Sequence, residues 1–187
     1  MANSSLFIFC LAKTIIYLLF YVDDIIVTSN DASQVHNLIA ALGQVFELKD
    51  LGPLNYYLVI QITQSSYGLT LTQIKYVLDV LHRFHMENSK ATNTPSCSST
   101  HLVPHDSVLS DPTQYRSMVG ALQYLTFTCP DISFSVQQLC QFMSHPTTTH
   151  LEAAKRVLRY IRGTLHFGIS FTPGPLTLTT FSDADWA

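Results

Sequence analysis

The sequence predicts an α+β fold built on antiparallel sheet, and three features of its 187 residues carry that prediction. Runs rich in β-branched and aromatic residues crowd the first thirty positions and recur later. Stripes of apolar residues with a 3.6-residue period lie between and after them. Neighbouring strand-like runs are joined by connections too short to hold a crossover helix, which leaves hairpins as the way to pair them.

Residues 6–11 and 14–21 read as two buried strands with Lys13 at their connection, followed after Asp23 and Asp24 by a strand over 25–28. Residues 6–22 are also nearly continuous apolar sequence, so a membrane-associated protein anchored there is an alternative. A spanning helix needs about 20 apolar residues, and Lys13 near its midpoint would cost roughly 3 kcal/mol. The strand reading is preferred. No basic segment precedes the run and no small-residue cleavage pattern closes it, so neither a secretory signal nor a membrane partner is expected, and an intracellular setting is.

Asp31 followed by Gln34 forms a variant capping box, and Val35, Leu38, Ile39, Leu42 and Phe46 make one helical stripe behind it. Residues 54–63 and 69–72 predict two strands joined by a polar turn over 65–68. Ile74, Val77, Leu78 and Leu81 mark a second helix. Residues 88–110 lack periodicity and contain Pro95 and Pro104, which makes them a linker between residues 1–87 and 111–165. Asp111 with Pro112 then opens a helix carrying Tyr115, Met118, Val119, Leu122 and Leu125 on one face. Pro130 starts a helix to about Met143, and residues 147–163 form another, closed by glycine. Short strands at 169–171 and 176–181 flank Pro173-Gly174-Pro175 in the last part, 166–187.

With 47% hydrophobic and 12% charged residues the chain can bury a sizeable core. A net charge of −3 argues against a strongly basic nucleic-acid binder, yet four of the ten Lys and Arg, Lys155, Arg156, Arg159 and Arg162, fall on one arc of a helix opposite Leu151, Ala154, Val157, Leu158 and Ile161. That arc is a solvated face or a phosphate-contacting one. Cys10, Cys97, Cys129 and Cys140 show no paired spacing and read as reduced thiols. Cys97, His101 and His105 recur every four residues, but a Ser, Thr and Pro-rich setting without a fourth ligand favours a loop over zinc. His82 and His85 fit a solvated helix face.

The pair Asp23-Asp24, set between apolar runs after Tyr21-Val22, is the most informative local feature. Neighbouring strand side chains point to opposite faces, so both acids reach one site only where the chain turns. Adjacent carboxylates raise one another's pKa, and a divalent cation removes that cost. Mg²⁺ binds carboxylate oxygen while keeping water and phosphate as further ligands, the arrangement of two-metal phosphoryl chemistry. The competing reading is a solvated turn, since Asp stabilises turns by local hydrogen bonds.

These residues resemble the palm hairpin of reverse transcriptases, and the surroundings are similar to the copia-type retrotransposon enzymes. The resemblance runs through YVDDII at 21–26, LKDLGPLNYY at 48–57, GLTLTQIKY at 68–76, YRSMVGALQYL at 115–125, PDI at 130–132, KRVLRYIRGT at 155–164 and SDADWA at 182–187. It implies a partial palm with an antiparallel sheet, hairpin and packing helix, then thumb-like helices. The implied reaction is RNA-directed DNA polymerisation on an RNA or DNA template-primer, with Asp23 and Asp24 as catalytic ligands of Mg²⁺. Residues 58–61 (Leu58, Val59, Ile60 and Gln61) would resemble a primer grip, and Asp183 the first metal-binding acid of a truncated RNase H-like start.

The family usually has glycine at the position of Val59, often glutamate at that of Gln61, and arginine at that of Cys129. Its third carboxylate lies on an upstream strand, and no Asp or Glu precedes Asp23 here. The expectation is therefore a polymerase portion that is inactive alone unless an upstream fragment complements it. The alternative from another class is a non-catalytic nucleic-acid- or partner-binding remnant using Lys155, Arg156, Arg159 and Arg162.

Overall fold

A computed structural model describes residues 4–11, 13–96, 102, 108–109, 111–175 and 177–180. Across the described residues the architecture is α+β, with two antiparallel sheets and five α-helices. By packing, the chain divides into one unit ending at Leu54 and a second starting at Asn55.

In the first unit, β1 (Ser4–Leu11), β2 (Thr14–Tyr21) and β3 (Asp24–Ser29) form a meander with β2 in the centre. Leu11 pairs with Thr14 across the first turn and Tyr21 with Asp24 across the second. Asn30 closes the far end of the sheet, its Oδ1 accepting from Ile15 N at 2.9 Å and its Nδ2 donating to Lys13 O at 2.7 Å. Residues 6–11 and 14–21 thus lie in paired strands, which removes the alternative of a single membrane helix over 6–22. Among the described residues no helix is long and apolar enough to cross a membrane.

Helix α1 (Ala32–Gly43) packs on β3. Asp31 caps it by accepting from Ser33 N at 3.0 Å, which leaves the Gln34 half of the expected capping box unused. Val35, Leu38, Ile39 and Leu42 are half-buried and Phe46 is exposed. Ile16 is the single buried residue described in this unit.

The second unit holds a sheet of β4 (Tyr56–Tyr57), β5 (Ile60–Ser65), β6 (Gly68–Thr72) and β7 (Ile169–Phe171), in that order. The strand expected over 54–63 is broken: Tyr57 pairs with Ile60, and Leu58 and Val59 form a two-residue reversal between them. β7 adds to β6 by pairing Ile169 with Leu71, and a side chain at Gly168 would stand 2.1 Å from Leu71 O, so only glycine fits the entry to that pairing. The strand expected over 176–181 does not form at 177–180, the part of it that is described.

Four helices build the core: α2 (Ile74–Arg83), α3 (Thr113–Leu125), α4 (Ser133–Cys140) and α5 (Thr148–Gly163), with a 3₁₀ turn at Pro130–Ile132. Tyr115, Met118, Val119, Leu122 and Leu125, the expected face of α3, are all buried, as are Ala154, Val157, Leu158 and Ile161 of α5. On α2 the buried set is Val77, Val80 and Leu81, while Leu78 is half exposed. The helix expected from Pro130 begins as the 3₁₀ turn and ends as an α-helix at Cys140. Thr147 caps α5 together with His150, whose ring stacks on Phe142. Residues 88–96 carry no helix or strand and lie along α5: Arg162 Nε donates to Glu87 O at 2.5 Å, and Thr92 N donates to Arg159 O at 3.4 Å.

Candidate functional site

Two hairpin turns share an unusual backbone. Val22, the first of the two residues between Tyr21 and Asp24, has φ +52°. Leu58 and Val59 have φ +47° and +61°. Hairpin loops of two residues favour positive φ because it matches the twist of the strands, and glycine or asparagine normally supplies it. A β-branched side chain there is strained by about 1–3 kcal/mol. Both strained turns coincide with segments that sequence reasoning singled out.

At the first turn Asp23 and Asp24 are exposed, Asp24 as the opening residue of β3. Neither carboxylate has a hydrogen bond or ion pair to a described residue. Other turn acids behave differently. Asp31, Asp50 and Asp111 each accept from the backbone N–H two residues on, to Ser33, Gly52 and Thr113 at 3.0, 2.8 and 2.9 Å. The side-chain hydrogen bonds of Ser33 and Thr113 first, and these backbone bonds second, hold the carboxyls of Asp31 and Asp111 below the usual range. The local hydrogen bonding that would make Asp23-Asp24 an ordinary Asp turn is therefore missing at this pair.

The donor chemistry at Asp23 and Asp24 suits a hard cation, since carboxylate oxygen is what Mg²⁺ takes from a protein. Two carboxylates are part of a coordination sphere. Among the described residues no group of three or more His, Cys, Asp or Glu side chains gathers.

The second turn is pinned from α3. Tyr124 donates its hydroxyl to Leu58 O at 2.8 Å, and its ring packs edge-on against Tyr76 and Phe127. Ile60 and Gln61 continue into β5, where Gln61 pairs with both Tyr56 and Thr72. A glycine at position 59 of a strand would permit close backbone approach. The structure supplies a second reason, the positive φ. Tyr124 lay outside the expected apolar stripe, and nothing in the sequence tied it to residue 58.

The basic arc of α5 is not uniform. Lys155 pairs with Glu152 at 2.7 Å and Arg162 is committed to Glu87 O. Arg156 donates to Thr94 Oγ1 at 2.9 Å, a neutral partner, and Arg159 has no ion pair among the described residues. All four are half-buried, which replaces the open solvated face with one partly covered by residues 87–96. Nearby, Tyr160 donates to Asp131, and that bond, with burial second, pushes its hydroxyl up to about 12. Cys129 lies buried in the helical core and burial raises its thiol pKa. Cys10 and Cys140 are thiols. Cys97, His101, His105 and Asp183 lie outside the described residues.

Comparison with known proteins points in one direction. The profile of the family "Reverse transcriptase (RNA-dependent DNA polymerase)" matches residues 2–98. The chain is 46% identical to the "Retrovirus-related Pol polyprotein from transposon RE1" of Arabidopsis thaliana and 45% identical to that from transposon RE2 of the same plant, over its whole length in both cases. It spans 13% of the length of each of these relatives. An uncharacterized mitochondrial protein of Arabidopsis thaliana is 42% identical, covering 91% of this chain and 72% of that protein. No solved structure matches.

Proposed function

The chain belongs to the reverse transcriptase (RNA-dependent DNA polymerase) family, of the copia type found in transposon Pol polyproteins, and from that premise we propose that it carries part of a nucleotidyl-transfer centre. The observation that supports this reading is the pair Asp23-Asp24, unpartnered on a strained reversal while Asp31, Asp50 and Asp111 are engaged locally. In the whole polymerase these two carboxylates hold Mg²⁺, which when bound supplies charge neutralisation at the primer hydroxyl and the departing pyrophosphate.

The chain's own residues do the rest of the work assigned to them. β2 and β3 present the two acids at a sheet end, and the Val22 turn keeps both at the reversal instead of on opposite strand faces. Residues 58–61 act as the primer-grip-like hairpin, held by Tyr124. Residues 1–87 correspond to the palm portion, 111–165 to thumb-like helices after the 88–110 linker, and Asp183 to an RNase H-like start. RNA or DNA template-primer is the partner, and two carboxylates alone do not complete a two-metal site, so polymerisation requires further metal ligands, in cis or from a complementing fragment.

Titrating the full chain with Mn²⁺, followed by paramagnetic broadening of the β2–β3 amides, tests this. Binding in the weak, millimolar regime is expected to vanish in Asp23→Asn and in Asp24→Asn, with thermal unfolding unchanged because both side chains are exposed and unpartnered. Equal binding by the wild-type chain and both variants would remove the metal-holding role.

A further inference from the structure

The groove between α4, α5, Pro95, Ser96 and Leu102 contains a cavity of about 360 Å³, near the small end of ligand pockets. Its polar lining includes Ser96, Ser135, Gln138, Thr148, Arg156 and Arg159. Glu152 also reaches the lining, and its carboxylate is engaged by Lys155 at 2.7 Å. Two guanidinium groups three residues apart on one helix therefore face one cavity without a carboxylate partner among the described residues. Their Nε atoms are closed to solvent and have no hydrogen-bond partner there. Half-buried like charges without compensation are costly, and an oxyanion between them is the simplest relief.

We propose that Arg156 and Arg159 form a phosphate-binding site in this groove. The guanidinium fork matches phosphate oxygens in pairs, and the hydroxyls of Ser96 and Ser135 with the Gln138 amide supply neutral donors for the remaining oxygens. The inference rests on the nucleic-acid-binding part of the proposed function and narrows it. Of the four basic residues on α5, Lys155 is ion-paired and Arg162 is turned to Glu87 O, whereas Arg156, which also donates to Thr94 Oγ1, and Arg159 face the cavity with no carboxylate partner among the described residues. The phosphate group has two possible sources, a nucleic-acid backbone or a free phosphate such as inorganic phosphate or pyrophosphate.

The test titrates the full chain with a fluorescent single-stranded oligonucleotide and, separately, with inorganic phosphate and pyrophosphate, at two salt concentrations. Arg159→Ala and Arg156→Ala are expected to lose about tenfold or more in affinity and to lower the salt slope by about one per residue, while Arg162→Ala stays within about threefold. Arg159→Lys keeps the charge without the fork and is expected to fall between, which covers the case of an alanine variant that does not fold. Oligonucleotide binding with this pattern supports a backbone phosphate, and binding of the small anions alone supports a free one. Absence of binding by every probe, or equal losses in Arg159→Ala and Arg162→Ala, would overturn the site. Asp23→Asn is run in parallel: Mn²⁺ binding lost there while anion binding fails in the wild type separates failure of this site from failure of the metal-holding hairpin.

Discussion

The two units differ in how they are stabilised. Among the described residues, the second gathers eighteen buried apolar residues, from four helices and the turns at their ends, into one core, while the first buries Ile16 alone, although its strands are the more hydrophobic sequence. Leu6, Phe7, Ile8, Phe9 and Leu11 of β1 are each more than half exposed, and α1 has no buried residue. A three-stranded sheet with a single helix can bury only one of its faces, whereas helices packed on three sides bury most of what they carry. The difference teaches that apolar content does not locate the core. The acidic hairpin sits on the thinly packed unit, and the strained turn at Leu58 and Val59 on the unit with the deep core.

The strongest way to break this contrast is truncation of core side chains. Leu122→Ala or Leu158→Ala, each fully buried, is expected to cost about 2–5 kcal/mol in denaturant unfolding, and Leu19→Ala in the half-buried β2 about 1 kcal/mol. Equal losses at the three positions would show that the first unit is packed as well as the second.

A smaller effect sharpens the comparison of the turns. Val59→Gly removes strain of about 1–3 kcal/mol and adds a glycine entropy cost of about 0.5–1 kcal/mol, so a net gain near 1 kcal/mol is expected. Val22→Gly is expected to act the same way on the first unit, read as slower amide exchange in β2 and β3. Destabilisation by both variants would mean that the positive φ values carry no strain.

The smallest effect is confined to the helical unit and to high pH. Tyr160, held by Asp131 and pushed up to about 12, stays protonated in the fold above the pH at which an unfolded tyrosine ionises near 10. A raised folded pKa means its contribution is complete below about pH 10 and is lost as pH rises toward 12. Tyr160→Phe is expected to flatten the loss of stability across that window, measured by urea unfolding at pH 9, 10 and 11. An unchanged slope would assign the alkaline loss to other groups, Tyr115 first, whose hydroxyl donates to Leu139 O and is raised by burial.

Much of the fold could be read from residues because the determining forces were local. The strands around Lys13, the Asp31 cap, the α3 stripe and the Thr147 start of α5 depend on alternation, helical period and side-chain hydrogen bonds within a few positions. Other features depended on distant partners. The break at Leu58 and Val59 is held by Tyr124, sixty-six residues away, and Leu78 lost its place in the α2 core to Val80 because of what packs on that helix. At the site, the acid pair was visible in the order of the residues, while the division of the basic arc was not. Arg162 is turned away by Glu87 O, just before the featureless linker, and Arg156 reaches Thr94 within it while still lining the cavity.

The order of amino acids by itself determined the family, the antiparallel strand pairs and the reversal that carries Asp23 and Asp24, because each is fixed by residue type and short-range spacing. Only the tertiary structure decided which apolar stripes became core, where valine had to accept a left-handed backbone, and which arginines kept an unneutralised charge. Burial and ion pairing are properties of neighbours brought together from far along the chain, and no local pattern encodes who those neighbours are.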